Sequence, residues 1–227
     1  MRFVPDGEEI ARSAMASIQP DLTDKYAAVI RFLVSQPRAA SKMRGANAPS
    51  TGSAEYVRRQ AVAFVTSREL RPPNSPTTVP DEMVSVILRE YFDIPEADLE
   101  RAKREHLLSM RAENLVGGLL ERYLASILEP RGWVWCSGAM VKAVDFVKPP
   151  ATEGGHWRLL QVKNRDNSEN SSSSAIREGT TIEKWFRTFS RKSGSNWETF
   201  PSVSLRRHLS EEGFKTFARE YLRTLRP

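Results

Sequence analysis

The chain has 227 residues, 40% of them hydrophobic and 27% charged, with a formal net charge of +6; this is the make-up of a globular protein and excludes the fibrous and disordered classes. No run approaches the roughly 18 apolar residues of a membrane span, and residues 1–10 carry acids where a secretory leader is basic and then apolar, so the expected location is the cytoplasm. A single cysteine, Cys136, and three scattered histidines exclude an internal disulfide and a thiolate or imidazole zinc site, so any metal must be held by oxygen.

Apolar residues at three and four spacing predict helices over 8–18, 24–34, 56–65 and 81–92, separated by breaker-rich segments at 35–53 and 71–80. A charged run, 96–105, reads as a solvated helix face. A long helix is predicted over 111–129, where Leu115, Val116, Leu119, Leu120, Tyr123, Leu124, Ile127 and Leu128 form one stripe. Glu113, Gly117 and Glu121 lie four apart beside that stripe, and Pro130 with Gly132 ends the helix.

The period then changes to two. Residues 133–136, 141–147 and 157–163 are short runs rich in Val, Trp, Phe and Leu, the last two joined by prolines and glycines as a hairpin. Residues 164–174 form a polar loop ending in four serines. Thr180 and Glu183 resemble a capping box opening a helix with Ile182, Trp185, Phe186 and Phe189 on its core face. A last helix, near 210–225, is expected to turn Phe214, Phe217, Tyr221, Leu222 and Leu225 inward. The expected division is a helical region, 1–105, and a catalytic and recognition domain, 106–227.

Charge is unevenly placed: residues 158–227 hold 14 Lys and Arg against 8 Asp and Glu, whereas 1–157 hold 20 of each. The whole excess therefore sits in the C-terminal third, as a polyanion-binding face requires. Within that third, Gln161 and Lys163 share one face of their strand, and Asp145 lies on the preceding strand of the hairpin. A carboxylate and an ammonium among apolar neighbours are costly to bury unless paired or bound to a metal.

Phosphodiester cleavage needs a hard cation, and Mg²⁺ takes oxygen ligands while keeping several waters. Asp145 is the expected principal ligand, with the Gln161 side-chain oxygen and the Val162 backbone carbonyl beside it. Lys163 is the expected holder of the attacking water. Gln161 leaves the site one acid short, which Glu121 could supply from the helix rim. The plainer alternative is an ion pair between Asp145 and Lys163.

These residues, in this succession, resemble the PD-(D/E)XK nuclease core, some branches of which carry Gln at the second acid. The segments 112–115, 135–138, 141–146, 161–177 and 184–187 further resemble the SinI family of type II restriction endonucleases, over roughly 113–200. The resemblance implies an α/β restriction-endonuclease-like core, a mixed β-sheet flanked by helices, with an N-terminal mainly helical region. It also implies Mg²⁺-dependent cleavage of double-stranded DNA at a short palindrome, with GGWCC the family target and Mn²⁺ a possible substitute ion. It leaves open whether Glu121 or Glu113 is the helping acid.

Asn164, Arg165, Asp166, Asn167, Asn170, Ser171, Ser172 and Arg177 carry the side chains that bond base edges and phosphates, and they leave the catalytic strand directly. The same stretch could equally be a flexible linker. Lys184, Arg187, Arg191 and Lys192 are expected phosphate contacts, and the aromatic stripe beside them is expected core. A palindromic target calls for a homodimer, and host protection for a cognate DNA methyltransferase. The rivals are an Mrr-like or junction-resolving nuclease on the same core, and a DNA-binding module that does not cleave.

Overall fold

The computed structural model describes residues 2–73, 79, 81–152, 154–167 and 181–226. Three N-terminal helices, α1 (Gly7–Ile18), α2 (Thr23–Ser35) and α3 (Ala54–Thr66), pack on one another through Met15, Tyr26, Ile30, Leu33, Val57 and Phe64. Ser53 caps α3 by accepting the Tyr56 N–H at 3.1 Å. Helix α4 (Glu82–Glu90) buries no residue. Helix α5 runs unbroken through Glu96–Leu128, joining the charged run to the apolar stripe and crossing the expected boundary at 105. Only Leu99 is buried before Leu119, so more than half of α5 stands clear of the main cores.

Among the described residues, four strands form one mixed sheet in the order β1 (Val134–Trp135), β2 (Phe146–Lys148), β3 (Arg158–Arg165) and β4 (Ile182–Thr188). The first two pairings are antiparallel and β4 runs parallel to β3. Strand alternation divides the core. Val134, Val147, Leu159 and Ile182 face the N-terminal helices, and Trp135, Phe146, Leu160, Val162 and Trp185 face α5 and the C-terminal helices. Each fully buried large side chain contributes about 1.5–3 kcal/mol. A short α6 (Val203–Arg206) and α7 (Glu211–Thr224) complete the second layer, with Phe214 and Tyr221 buried against α5.

Three sequence expectations are corrected. Ile182–Thr188 is a strand and not a helix, because pairing with β3 in register from Leu159↔Ile182 to Arg165↔Thr188 overrides a local spacing that fits either element; Thr180 lies outside the described residues. Strand β3 continues through Asn164 and Arg165, which are therefore not loop residues. Residues 141–145 lie outside β2: Ala143 has φ +55°, and the Lys142 N–H donates to the Ala39 carbonyl at 2.8 Å instead of to a strand neighbour. In α7, Leu222 is exposed.

Candidate active site

The C-terminal half of α5 is anchored by Leu119, Leu120, Tyr123, Leu124 and Leu128, and this fixes the exit point of Glu121. The Trp135 indole N–H donates to Glu121 Oε2 at 2.9 Å. Burial raises the Glu121 carboxyl to about 7, and the charge of Asp145 adds to the rise, against the lowering effects of Trp135 and Lys163. Glu113, Asn114 and Gly117 continue the same helix face and line one wall of a cleft of about 1010 Å³.

Asp145 is set by the loop before β2, which is moored to the N-terminal helices. Ser137 Oγ donates to the Phe64 carbonyl at 2.8 Å, and Ser41 N to the Met140 carbonyl at 2.9 Å. Gly138, at φ +85°, lies so close to α3 that a Cβ would meet the Ala63 backbone at 3.0 Å. Asp145 itself is held on both sides, its N–H donating to Leu160 O and its carbonyl accepting from Cys136 N. Its side-chain Oδ2 accepts the Val162 N–H at 2.6 Å. Burial nevertheless raises its carboxyl to about 6, although Val162 and Lys163 pull the other way.

Lys163 is half-buried and lines the cleft, where its charge acts on both carboxylates. Among the described residues it forms no direct ion pair with Asp145, whose oxygen is engaged by the Val162 N–H. The structure thus brings Glu121, Asp145 and Lys163 into one electrostatic group. Gln161 is buried, 2% exposed, on the Lys163 face of β3, and with Asp145 it lies outside the residues that line the cleft. Among the described residues no set of three or more His, Cys, Asp or Glu side chains gathers. What gathers is a pair of carboxylates, Glu121 and Asp145, electrostatically linked to each other and to Lys163, and carboxylate oxygens are the donor type that a hard cation takes.

Of the expected DNA contacts, Asn164, Arg165, Asn167 and Arg187 line the cleft. Arg187 is held by the protein: Nε donates to Asn164 Oδ1 at 3.0 Å, Nη1 to Glu211 Oε1 at 2.6 Å, and the guanidinium lies over Phe214. Asp166 accepts the Ser190 N–H at 2.8 Å, which fixes the turn carrying exposed Arg191, and the Ser190 hydroxyl, followed by that N–H, lowers its carboxyl. Lys184 pairs in register with Gln161 and does not line the cleft. Asn170, Ser171, Ser172 and Arg177 lie outside the described residues. Trp185 is core, whereas Phe189 lines the cleft. Lys192, Lys215 and Glu211 complete the walls; sequence reasoning named Lys192 and missed the other two, because only the packing of α7 against α5 brings them there.

The SinI restriction endonuclease family model matches residues 7–224. The chain is 51% identical to the type II restriction enzyme Eco47I of Escherichia coli over 221 residues, 97% of this chain and 96% of that protein. It is 49% identical to the type II restriction enzyme SinI of Salmonella infantis over 225 residues, covering 99% and 97%. The chain belongs to the SinI restriction endonuclease family.

Proposed function

We propose that the chain is a type II restriction endonuclease with a PD-(D/E)XK core that cuts both strands of DNA at GGWCC with Mg²⁺ as its metal. The observation that carries this reading is the pair of half-buried carboxylates, Glu121 and Asp145, each raised in pKa and acted on by Lys163, with Glu121 and Lys163 lining a cleft that has further Arg and Lys side chains in its walls. Family membership over nearly the full length supports the target, and the three-strand meander with a parallel fourth strand supports the core.

Asp145, Glu121, the Gln161 amide oxygen and the Val162 carbonyl would hold the ion, with Mn²⁺ a working substitute. When bound, it supplies charge neutralisation at the phosphate and a lowered pKa for the attacking water. The chain's own groups do the rest. Lys163 orients that water and offsets phosphate charge, while Asp145, with one oxygen fixed by Val162 N–H, presents the other. Asn164, Arg165, Asn167 and Arg187 meet the DNA from the cleft wall, joined by Asn170, Ser171, Ser172 and Arg177 of the following segment, by Asp166 and by Lys184 and Arg191.

Two scissions at a palindrome call for two copies related by a two-fold axis. Met83, Ile87, Tyr91 and Phe92 in and after α4, with Leu108 of α5, are exposed apolar side chains that support this reading as the face a second copy covers. Introducing Met83→Asp with Ile87→Asp is expected to convert a dimer to a monomer in sedimentation velocity; an unchanged sedimentation coefficient places the interface elsewhere. On this reading residues 1–105 serve as a helical support for the catalytic domain 106–227. Among the described residues no helix is long and apolar enough to cross a membrane, and we place the enzyme in the cytoplasm beside a cognate methyltransferase.

The deciding experiment digests a mapped plasmid in Mg²⁺. Fragments ending at every GGWCC are expected. Cuts at other sequences would favour an Mrr-like or junction-resolving nuclease, and binding without scission in either Mg²⁺ or Mn²⁺ would favour a non-cleaving module.

A further inference from the structure

We infer that Trp135 is a positioning residue that fixes the direction of the Glu121 carboxylate, and that Arg68 and Arg122 in turn hold the indole. This rests on the reading of Glu121 as a metal-binding acid. Two glutamates, Glu121 and Glu129, sit near the end of α5 and are treated in opposite ways. Glu129 accepts from Lys25 Nζ at 2.6 Å and from Arg68 Nη2 at 2.8 Å, so its charge is consumed by cations of the N-terminal helices and the loop after them. Burial raises its carboxyl, but Arg68 and Lys25 outweigh burial and it titrates below the ordinary value. Glu121 accepts from a neutral donor, the Trp135 indole, at 2.9 Å. Its negative charge is thereby oriented without being neutralised.

The donor is itself immobilised. Arg68 and Arg122 place their guanidinium carbons 5.0 Å and 5.4 Å from the Trp135 ring. Arg68 also donates to the Trp135 carbonyl at 2.8 Å and to Ser137 Oγ at 3.0 Å. Arg122 is tied to three successive carbonyls, those of Ser67, Arg68 and Glu69, at 2.7–2.8 Å. A glutamate side chain on a helix face samples several rotamers. A hydrogen bond from a clamped indole selects one and leaves Oε1 for a cation. The segment following α3, outside the nuclease sheet, therefore reaches the active centre through Arg68, Trp135 and Glu121.

The test uses Tb³⁺ in place of Mg²⁺, with luminescence sensitised by nearby indoles as the readout, on the full-length protein without DNA. Trp135→Phe keeps a ring but loses the donor, and is expected to raise the Tb³⁺ concentration for half-saturation roughly tenfold, the usual scale for removing a partner of a metal ligand. Cleavage by the same variant should fall at limiting Mg²⁺ and recover at saturating Mg²⁺. In a Glu121→Gln background the Phe substitution should have no further effect on half-saturation. Equal weakening in both backgrounds would overturn the positioning role. Tb³⁺ binding untouched by Glu121→Gln would instead overturn the metal reading on which it rests.

A measurement that needs no change at Trp135 guards against misfolding of that variant. Of the five indole N–H signals expected in the proton spectrum, one should shift on titration with La³⁺ and the same one on introducing Glu121→Gln. If none responds to either, Trp135 does not report on the Glu121 carboxylate and the inference fails.

Discussion

On the proposed reading, Asp145→Asn is expected to lower the rate of DNA cleavage by about a thousandfold or more while leaving the fold and DNA binding in place. The substitution is chosen because the amide oxygen can still accept the Val162 N–H, now bonded to Oδ2 at 2.6 Å, so the junction of β2 and β3 keeps its hydrogen bond. What is lost is the charge. A metal's stabilisation of developing phosphate charge is worth several kcal/mol, and about 4 kcal/mol corresponds to roughly three orders of magnitude. Lys163→Met should fall by a comparable factor for a different reason, since it removes a cleft-lining ammonium whose charge acts on both carboxylates. Single-turnover cleavage in Mg²⁺, with binding to the same duplex followed in Ca²⁺, checks both. Retention of more than a tenth of wild-type cleavage by Asp145→Asn would remove that residue from the metal site.

The features legible in the sequence are those carried by local pattern. Amphipathic spacing located α1 to α5 and α7, and the change of period at 133 located the β1 to β3 meander. Strand alternation led to the expectation of Asp145 beside Lys163, but Asp145 stands just before β2 and is set by its N–H bond to the Leu160 carbonyl, from where the charge of Lys163 acts on it. Long-range partners decide the rest. Ile182, Trp185, Phe186 and Phe189 fit a helical rhythm, and only the open edge of β3 makes Ile182–Thr188 a strand. Ala143, with its left-handed backbone, ends the extended run before Asp145, something no β-propensity signals. Arg187 looked like a free phosphate contact, yet Glu211, 24 residues away, holds it at 2.6 Å and in turn accepts from the Trp197 indole. The Trp135 bond to Glu121 belongs to the same class, since a strand and a helix face must first be packed together.

The metal-free protein should become less stable as pH rises from 5 to 8, the reverse of the common acid-sensitive pattern. Glu121 and Asp145 have folded-state values of about 7 and about 6, against ordinary values of 4.5 and 3.8, both chiefly because burial penalises the charged form. The folded state therefore holds these protons more tightly than the unfolded chain. Its stability relative to that chain is greatest below pH 4 for these two groups and is lost as pH rises through 6 and 7. At 1.36 kcal/mol per unit the loss is about 3 kcal/mol for each carboxyl taken singly. It is smaller for the pair than the sum, because the part of the rise that Glu121 owes to Asp145 vanishes whenever Asp145 is protonated.

Exposed His208, lowered by desolvation and by Arg131 and Arg207, works in the opposite direction but in high dielectric. Thermal melting with a chelator present should thus show a falling midpoint between pH 5 and 8, and Mg²⁺ added at pH 8 should restore it by replacing the lost protons. The Glu121→Gln, Asp145→Asn double variant should be more stable than wild type at pH 8 and nearly flat across the range. On the proposed reading, cleavage at limiting Mg²⁺ should rise over the same interval in which metal-free stability falls, since the deprotonated pair that destabilises the metal-free fold is the form that would take the cation. A wild-type midpoint that is constant from pH 5 to 8 would mean that the two carboxylates do not share a desolvated site.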